Sequence, residues 1–375
     1  MNSRGLSLFA FRGITVRVDY SWFIIFALIV VTLGSYYFPE NYPALSDAAR
    51  WTISIMSALL LFVSVLLHEF SHSLVAQKFG IEINGIVLFL FGGIAQLRSE
   101  PEDPRSELYI AAAGPLCSLI LGIFFLGLHH LLEPVSSEAL QAMLWYLGYL
   151  NIALVAFNIL PGFPLDGGRI ARAVIWYYTD NLRRATKIVS NIGRGLAFLI
   201  IGTGLLNMLA GYFIQGLFLI FLGMFLQQAS IRGYQFVSLR EGLSNYKVAD
   251  LMTPDPHTVP PDITLQELVD HYFYRFKVHS FPVTSGDELI GFITIKNVKS
   301  IPRDEWNRIP VKQVMHPIDK MISLSPKEDA FGVLQMMLEH NTGRMPVLEN
   351  GKIVGILTRR DIMEFVSMRE EISRT

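Results

Sequence analysis

The stretch SVLLHEFSHSLVAQ, residues 64–77, ends a long apolar run with two histidines and a glutamate. The run opens at Trp51 and is long enough to cross a bilayer, whose ~30 Å hydrocarbon core takes about 20 residues of helix. Ionisable groups at such depth are costly and are usually functional. His68 and His72 are four residues apart, so a helix puts them on one face. Two imidazoles placed in this way can both reach one zinc ion at ~2.0–2.1 Å. Glu69, beside His68, is then close enough to take a proton from a metal-bound water. The competing reading is a hydrogen-bonded polar cluster between helices, which the cost of burial makes less attractive inside a span.

Around this motif the composition divides the chain. Of 375 residues, 51% are hydrophobic and only 17% charged, where a soluble domain carries about 25% charged. Mean hydropathy is +0.40. The long apolar runs lie before Arg232, and the composition after Lys247 is that of an ordinary soluble domain. We therefore expect a membrane domain at 1–231, a polar linker at 232–247 and a soluble domain at 248–375. A net charge of −1 gives no case for a nucleic acid partner. The single cysteine, Cys117, excludes an internal disulfide and a cysteine-rich metal site, and reads as a small buried hydrophobe.

Six segments are long and apolar enough to span: 20–38, 51–76, 108–131, 139–160, 185–209 and 211–229. The first follows a polar leader without a small-residue cleavage site and is expected to be retained. Arginines and lysines of the short loops collect on one side, with Arg50 the main exception. That asymmetry predicts a multi-pass cell-membrane protein with both termini and the soluble domain cytoplasmic. Residues 81–100, IEINGIVLFLFGGIAQLRSE, are apolar but too short and glycine-interrupted to span. Val87, Leu88, Phe89 and Phe91 favour strand, Gly92-Gly93 signals a turn, and Ile86 opens the candidate substrate edge. The expectation is a β hairpin dipping into the bilayer and shielded by protein. Its edge at 86–91 either receives unwound substrate by strand addition or simply plugs the bundle. The alternating segment 13–20 is a candidate strand partner for it.

A catalytic zinc wants a third protein ligand and an open position. The candidate is Asp166, in NILPGFPLDGGR at 158–169, where two prolines and three glycines interrupt the helical pattern. Asp166 also fits an N-cap of the helix that follows. Taken with His68 and His72, the ligand role is favoured.

H-E-x-x-H in a span, paired with N-x-x-P-x-x-P-L-D-G, resembles the site-2 protease family of intramembrane zinc metalloproteases. The resemblance covers the whole membrane half. LFGGIAQL around Gly92-Gly93 is similar to that family's membrane-dipping β loop, and AAAGPLCSL around Gly114-Pro115 to its third-span motif. The resemblance implies one Zn2+ per chain held by His68, His72 and Asp166, with Glu69 as catalytic base. It implies that Asn158 contacts the substrate or stabilises the transition state, and that substrates are transmembrane or membrane-proximal segments of other proteins. Two other classes compete: a transporter with regulatory domains and a non-catalytic membrane scaffold. A transporter should show repeats or paired broken helices in its membrane half, and only one broken segment is seen here. The intact His68, Glu69, His72 and Asp166 speak against a scaffold.

The soluble half repeats itself. Residues 248–300 and 311–366 share Met-x-Pro at 252–254 and 315–317, Pro-Val at 282 and 346, and matching runs at 291–294 and 355–358. Each copy reads as helix, short strand, helix, strand, strand, helix. This resembles a tandem CBS domain pair, an α/β module that often binds ATP, ADP or AMP and commonly dimerises. The resemblance puts Thr358 and Asp361 on the ribose. In the first copy Thr294 is followed by Asn297 instead of an acid, which departs from the pattern. Arg344 is placed to meet a phosphate. The alternatives are that Asp361 only caps the last helix, and that the module is a docking or dimerisation unit.

Overall fold

The computed structural model describes residues 5–372 apart from 91, 287 and 319–321. The chain divides into two compact units, one up to Val237 and one from Ser238.

The first unit opens with strands β1 (Gly5–Phe11) and β2 (Ile14–Asp19). Asp19 then caps helix α1 (Tyr20–Thr32) by accepting from the Ser21 N–H. A π turn (Leu33–Tyr37) and α2 (Phe38–Asn41) extend that first span. Helix α3 (Asp47–Lys78) is capped by Ser46 and carries the His-Glu-x-x-His run in its last three turns. Strands β3 (Ile83–Phe89) and β4 (Gly92–Leu97) form the hairpin. Helices α4 (Pro104–Leu132), α5 (Glu138–Asn158), α6 (Asp166–Thr179), α7 (Leu182–Leu209) and α8 (Phe213–Leu243) follow. Among the described residues six helical segments are long and apolar enough to cross a membrane. Their polarity is inverted relative to a soluble bundle. Ile120, Ile123, Phe124, Leu199 and Leu206 face outwards, while Ser57, Ser64, His68, Ser118 and Asn151 are buried. With lipid outside there is no hydrophobic gain from turning leucines inwards, so small and polar residues mediate the helix contacts.

Segment 13–20 does pair with the hairpin. The sheet order is β1-β2-β3-β4, with β2 and β3 parallel through Val16–Ile86, Arg17–Val87 and Val18–Leu88. This corrects the edge expected at 86–91. Ile86, Val87 and Leu88 are paired on both sides, to β2 and to β4, so β3 is internal. The free edge of the hairpin belongs to β4. Phe91 lies outside the described residues. Ile14, Val16, Val18, Ile83, Ile86 and Leu88 form one core with Phe70, Ala76 and Ile110, which fixes the sheet against α3 and the start of α4.

The polar segment 232–247 is helical as far as Leu243, and the division between units falls within α8. The segment contains no proline, and polarity alone does not separate an exposed helix from a coil.

The second unit holds α9 (Val248–Leu251), β5 (Thr253–Pro254), α10 (Leu265–Leu268), α11 (Tyr274–Phe276), β6 (Ser280–Ser285), β7 (Glu288–Thr294) and α12 (Ile295–Lys299). The second copy follows with a 3-10 turn (Val311–Gln313), β8 (His316–Pro317), α13 (Ala330–Glu339), β9 (Arg344–Glu349), β10 (Lys352–Thr358) and α14 (Arg359–Ile372). The copies exchange their first strands: β5 pairs with β10, and β8 with β7. Leu243, Val248 and Leu251 accordingly lie in the core of the second copy, with Val333, Met337, Val347 and Leu357.

Candidate active site

One turn of α3 separates His68 from His72, and their Nε2 atoms stand 3.2 Å apart. Asp166 Oδ2 lies 3.1 Å from the first and 3.2 Å from the second. These spacings match the edge, about 3.3 Å, of a tetrahedron with ligand bonds of ~2.0–2.1 Å. All three residues are wholly or mostly buried. Asp166 is the first helical residue of α6, and the N-cap position falls to Leu165 without a side-chain hydrogen bond. The capping alternative for Asp166 is therefore set aside: its carboxylate is turned towards the histidines.

The far nitrogens of both rings are held by α4. His72 Nδ1 donates to the Ile110 carbonyl at 2.6 Å. A carbonyl only accepts, so this nitrogen carries the proton and Nε2 keeps a free lone pair for a metal. His68 Nδ1 lies 2.9 Å from the Ser118 hydroxyl, which allows the same tautomer. Between them Gly114 lets α4 come close: a Cβ there would stand 2.2 Å from His72 Nε2 and 2.6 Å from His68 Nε2. Two histidines and a carboxylate with both rings oriented from behind are a donor set that suits zinc. Residues 114–118 entered the sequence analysis as a motif, but the hydrogen bond of Ser118 did not. The available signal was a serine four residues after Gly114 in an apolar span.

Glu69 faces β4. A Cβ on Gly93 would stand 2.5 Å from its Cγ. Gly93 is thus a close-approach position, while Gly92 supplies the turn with φ +128°. Asn158 ends α5 half-buried, and its amide makes no hydrogen bond among the described residues. Ile86, Val87, Leu88 and Phe89 lie on β3, one strand further from Glu69 than β4.

In the second unit Thr358 and Asp361 cap α14 reciprocally. The Thr358 N–H donates to Asp361 Oδ2 at 2.9 Å and the Asp361 N–H to Thr358 Oγ1 at 3.1 Å. The capping role foreseen for Asp361 is present, and it leaves the carboxylate partly buried. Arg344 stands directly across the ladder from Thr358. It is half-buried, which disfavours its charge, and it meets no carboxylate among the described residues. Thr294 and Asn297 form the equivalent cap in the first copy, with Asn297 Nδ2 3.1 Å from His316 Nε2.

The chain is similar to known proteins over nearly its whole length. The model of peptidase family M50 matches residues 56–135 and 126–200, and the CBS domain model matches 248–303 and 311–368. A Synechocystis protein named as a candidate zinc metalloprotease is 32% identical over 374 residues, covering 97% of this chain and 95% of the relative. A zinc metalloprotease of Methanocaldococcus jannaschii is 32% identical over 365 residues, covering 97% of each chain. The solved site-2 protease of the same archaeon is 31% identical, covers 61% of this chain and 95% of its own, and superposes with a TM-score of 0.44. The likeness to proteins named zinc metalloproteases runs end to end and includes both halves, which speaks against the transporter reading. The chain belongs to peptidase family M50, as a membrane zinc metalloprotease of the site-2 protease type that carries a tandem pair of CBS domains.

Proposed function

We propose that the protein cleaves transmembrane segments of other membrane proteins, with His68, His72 and Asp166 holding one zinc ion and Glu69 moving the protons. The observation that carries this reading is the convergence of three ligand atoms, all within 4.8 Å of one another, beside a carboxylate that faces a free strand edge. When bound there, zinc supplies a Lewis acid and a water whose pKa falls towards ~7. Glu69 takes the proton of the attacking water and returns it to the leaving amine. Asn158 offers an unengaged amide to the developing oxyanion, a contact worth ~2.7–4 kcal/mol elsewhere.

A transmembrane helix must unwind before its peptide bonds are reachable, and its freed backbone groups then need partners. The β4 edge supplies them. The Arg98 N–H bonds to the Glu82 carbonyl on the β3 side. Backbone direction alternates along a strand, so Gly93, Ala95 and Leu97 present their groups outwards. Leu97→Pro removes one outward donor without touching the pairing to β3. It is expected to slow cleavage of a single-span substrate severalfold relative to Leu97→Ala, which gives up the same packing on the sheet core, with zinc content unchanged. Wild-type turnover in this variant ends the strand-addition reading.

The module is assigned to adenine nucleotide regulation. Thr358 and Asp361 receive the ribose, and Arg344, a half-buried cation without an anion, receives phosphate. The first copy, with Thr294 and Asn297, is the weaker cleft because it lacks the acid. Helix α14 starts at the stronger cleft and packs on Gly242 and Tyr246 of the same unit. Arg369 donates to the Gly242 carbonyl at 2.6 Å, and Phe365 packs on Tyr246 with ring centroids 4.6 Å apart. Asp361→Asn keeps the helix cap and removes the charge. It should weaken ATP, ADP or AMP binding to the full-length protein about tenfold, as expected for a charged acceptor worth ~1.5 kcal/mol. Calorimetry in detergent reads this directly, and an unchanged affinity moves the site elsewhere. Nucleotide alters cleavage only if the two states of the module differ in affinity for it. The lysine and arginine asymmetry supports a cytoplasmic position for the module and both termini. Exposed Met363, Met368 and Ile372 on α14 suit pairing of two copies.

A further inference from the structure

A second cluster of charge lies inside the membrane unit, outside the metal ligands. Glu107, in the first turn of α4, is 0% exposed, and Arg172 on α6 is 5% exposed. Arg172 Nε donates to Glu107 Oε1 at 2.7 Å, and its Nη2 donates to the same oxygen. Arg169 Nε lies 4.0 Å from that oxygen, and Arg172 Nη1 lies 3.9 Å from Glu100. The Arg172 guanidinium also covers the ring of Phe163 at 5.0 Å, in the irregular segment just before Asp166.

Stability does not explain this pair. A buried ion pair gains little over apolar residues of equal size. Here, moreover, Glu107 Oε2 is buried without a hydrogen-bond partner among the described residues, an arrangement that costs about 1–3 kcal/mol. What a planar fork on a single oxygen does supply is position, in both rotation and register.

That position matters because the metal ligands come from two elements that hardly touch. Helix α3 bears the histidines, and α6, which bears Asp166, packs chiefly on α4 and α7. Helix α4 is the common frame. Residues 107, 110, 114 and 118 recur at helical spacing along one of its faces. Ser118 holds His68, the Ile110 carbonyl holds His72, and Gly114 makes room for both. Glu107 is the remaining member, and its partner Arg172 lies within two turns of Asp166 on the same helix.

We infer that Glu107 and Arg172 are positioning residues for the metal site: their buried pair sets Asp166 opposite the two histidines. The inference rests on the ligand assignment proposed above. Its test is zinc affinity of the full-length protein in detergent, by competition with a chromophoric chelator, alongside thermal melting. Arg172→Lys keeps the charge and loses the fork. The double variant Glu107→Met with Arg172→Met replaces the pair by apolar bulk, so that folding survives if a single change does not. Both are expected to melt near wild type and to bind zinc about tenfold to a hundredfold more weakly, the range typical of groups behind a metal ligand. A merely structural pair predicts the reverse: altered melting with unchanged zinc affinity in the folded protein, and that result overturns the inference. Asp166→Ala is the control. If wild-type zinc affinity is indifferent to it, the ligand assignment fails and the inference with it. If affinity depends on Asp166 but not on Glu107 or Arg172, only the inference fails.

Discussion

Glu69→Gln is expected to keep one zinc per chain and to cleave a single-span substrate about 10²–10⁴-fold more slowly than wild type. The three ligand atoms belong to His68, His72 and Asp166, so the substitution leaves the donor set whole. Glutamine has nearly the shape of glutamate, so the side chain keeps its place against Gly93 of β4. What it loses is the ability to take a proton from water. His68→Ala, His72→Ala and Asp166→Ala are the comparators, and each should lose metal as well as cleavage. Metal analysis together with turnover separates the two groups. A Glu69→Gln protein that loses zinc as the alanine variants do would show that the roles are misassigned.

The contrast between what was legible in the sequence and what was not follows the range of the interactions. His68 and His72 are readable because a four-residue spacing on a helix is a local fact. Asp166 is 94 residues from His72, and what marked it was its place in a proline- and glycine-broken segment together with the resemblance of that segment to a family motif. Which strand of the hairpin is free was not readable. It depends on β2, drawn from residues 14–19, occupying one side of β3, and a one-dimensional alternation says nothing about which neighbour wins. The hydrogen bonds behind the histidines were hidden for a similar reason. Ser118 and the Ile110 carbonyl reach the rings only because of how α4 is rotated about its own axis. The repeat in the soluble half was plain from its matching tripeptides. The exchange of β5 and β8 between copies was not, since two-residue strands carry too little pattern to show a partner. The boundary between units falls within the polar segment 232–247, but composition did not show that the segment is helical to Leu243, since charged residues suit an exposed helix as well as a coil.

The close approach of α4 leads to the other large effect. Gly114→Ala is expected to abolish stable zinc binding, and cleavage with it, although it adds a single methyl group to a helix. Alanine is a better helix former than glycine by roughly 1 kcal/mol, so on local grounds the change should stabilise α4. Gly127→Ala on the same helix tests that expectation, because a Cβ there meets nothing within 4 Å. It should leave zinc affinity and turnover at wild-type levels. At Gly114 the same methyl would lie 2.2 Å from His72 Nε2 and 2.6 Å from both His68 Nε2 and His72 Cε1. These are rings rather than flexible chain ends, and each is tied from behind, to Ile110 and to Ser118. Neither can turn aside without losing its hydrogen bond, so α4 must move away or the ligand atoms must part. Either response spoils spacings of 3.1–3.2 Å that zinc coordination requires. We expect at least a hundredfold loss of zinc affinity at Gly114 and none at Gly127, measured by the same chelator competition. Equal affinities for the two alanine variants would mean that α4 yields freely at the site, and would remove it as the frame on which the metal ligands are set.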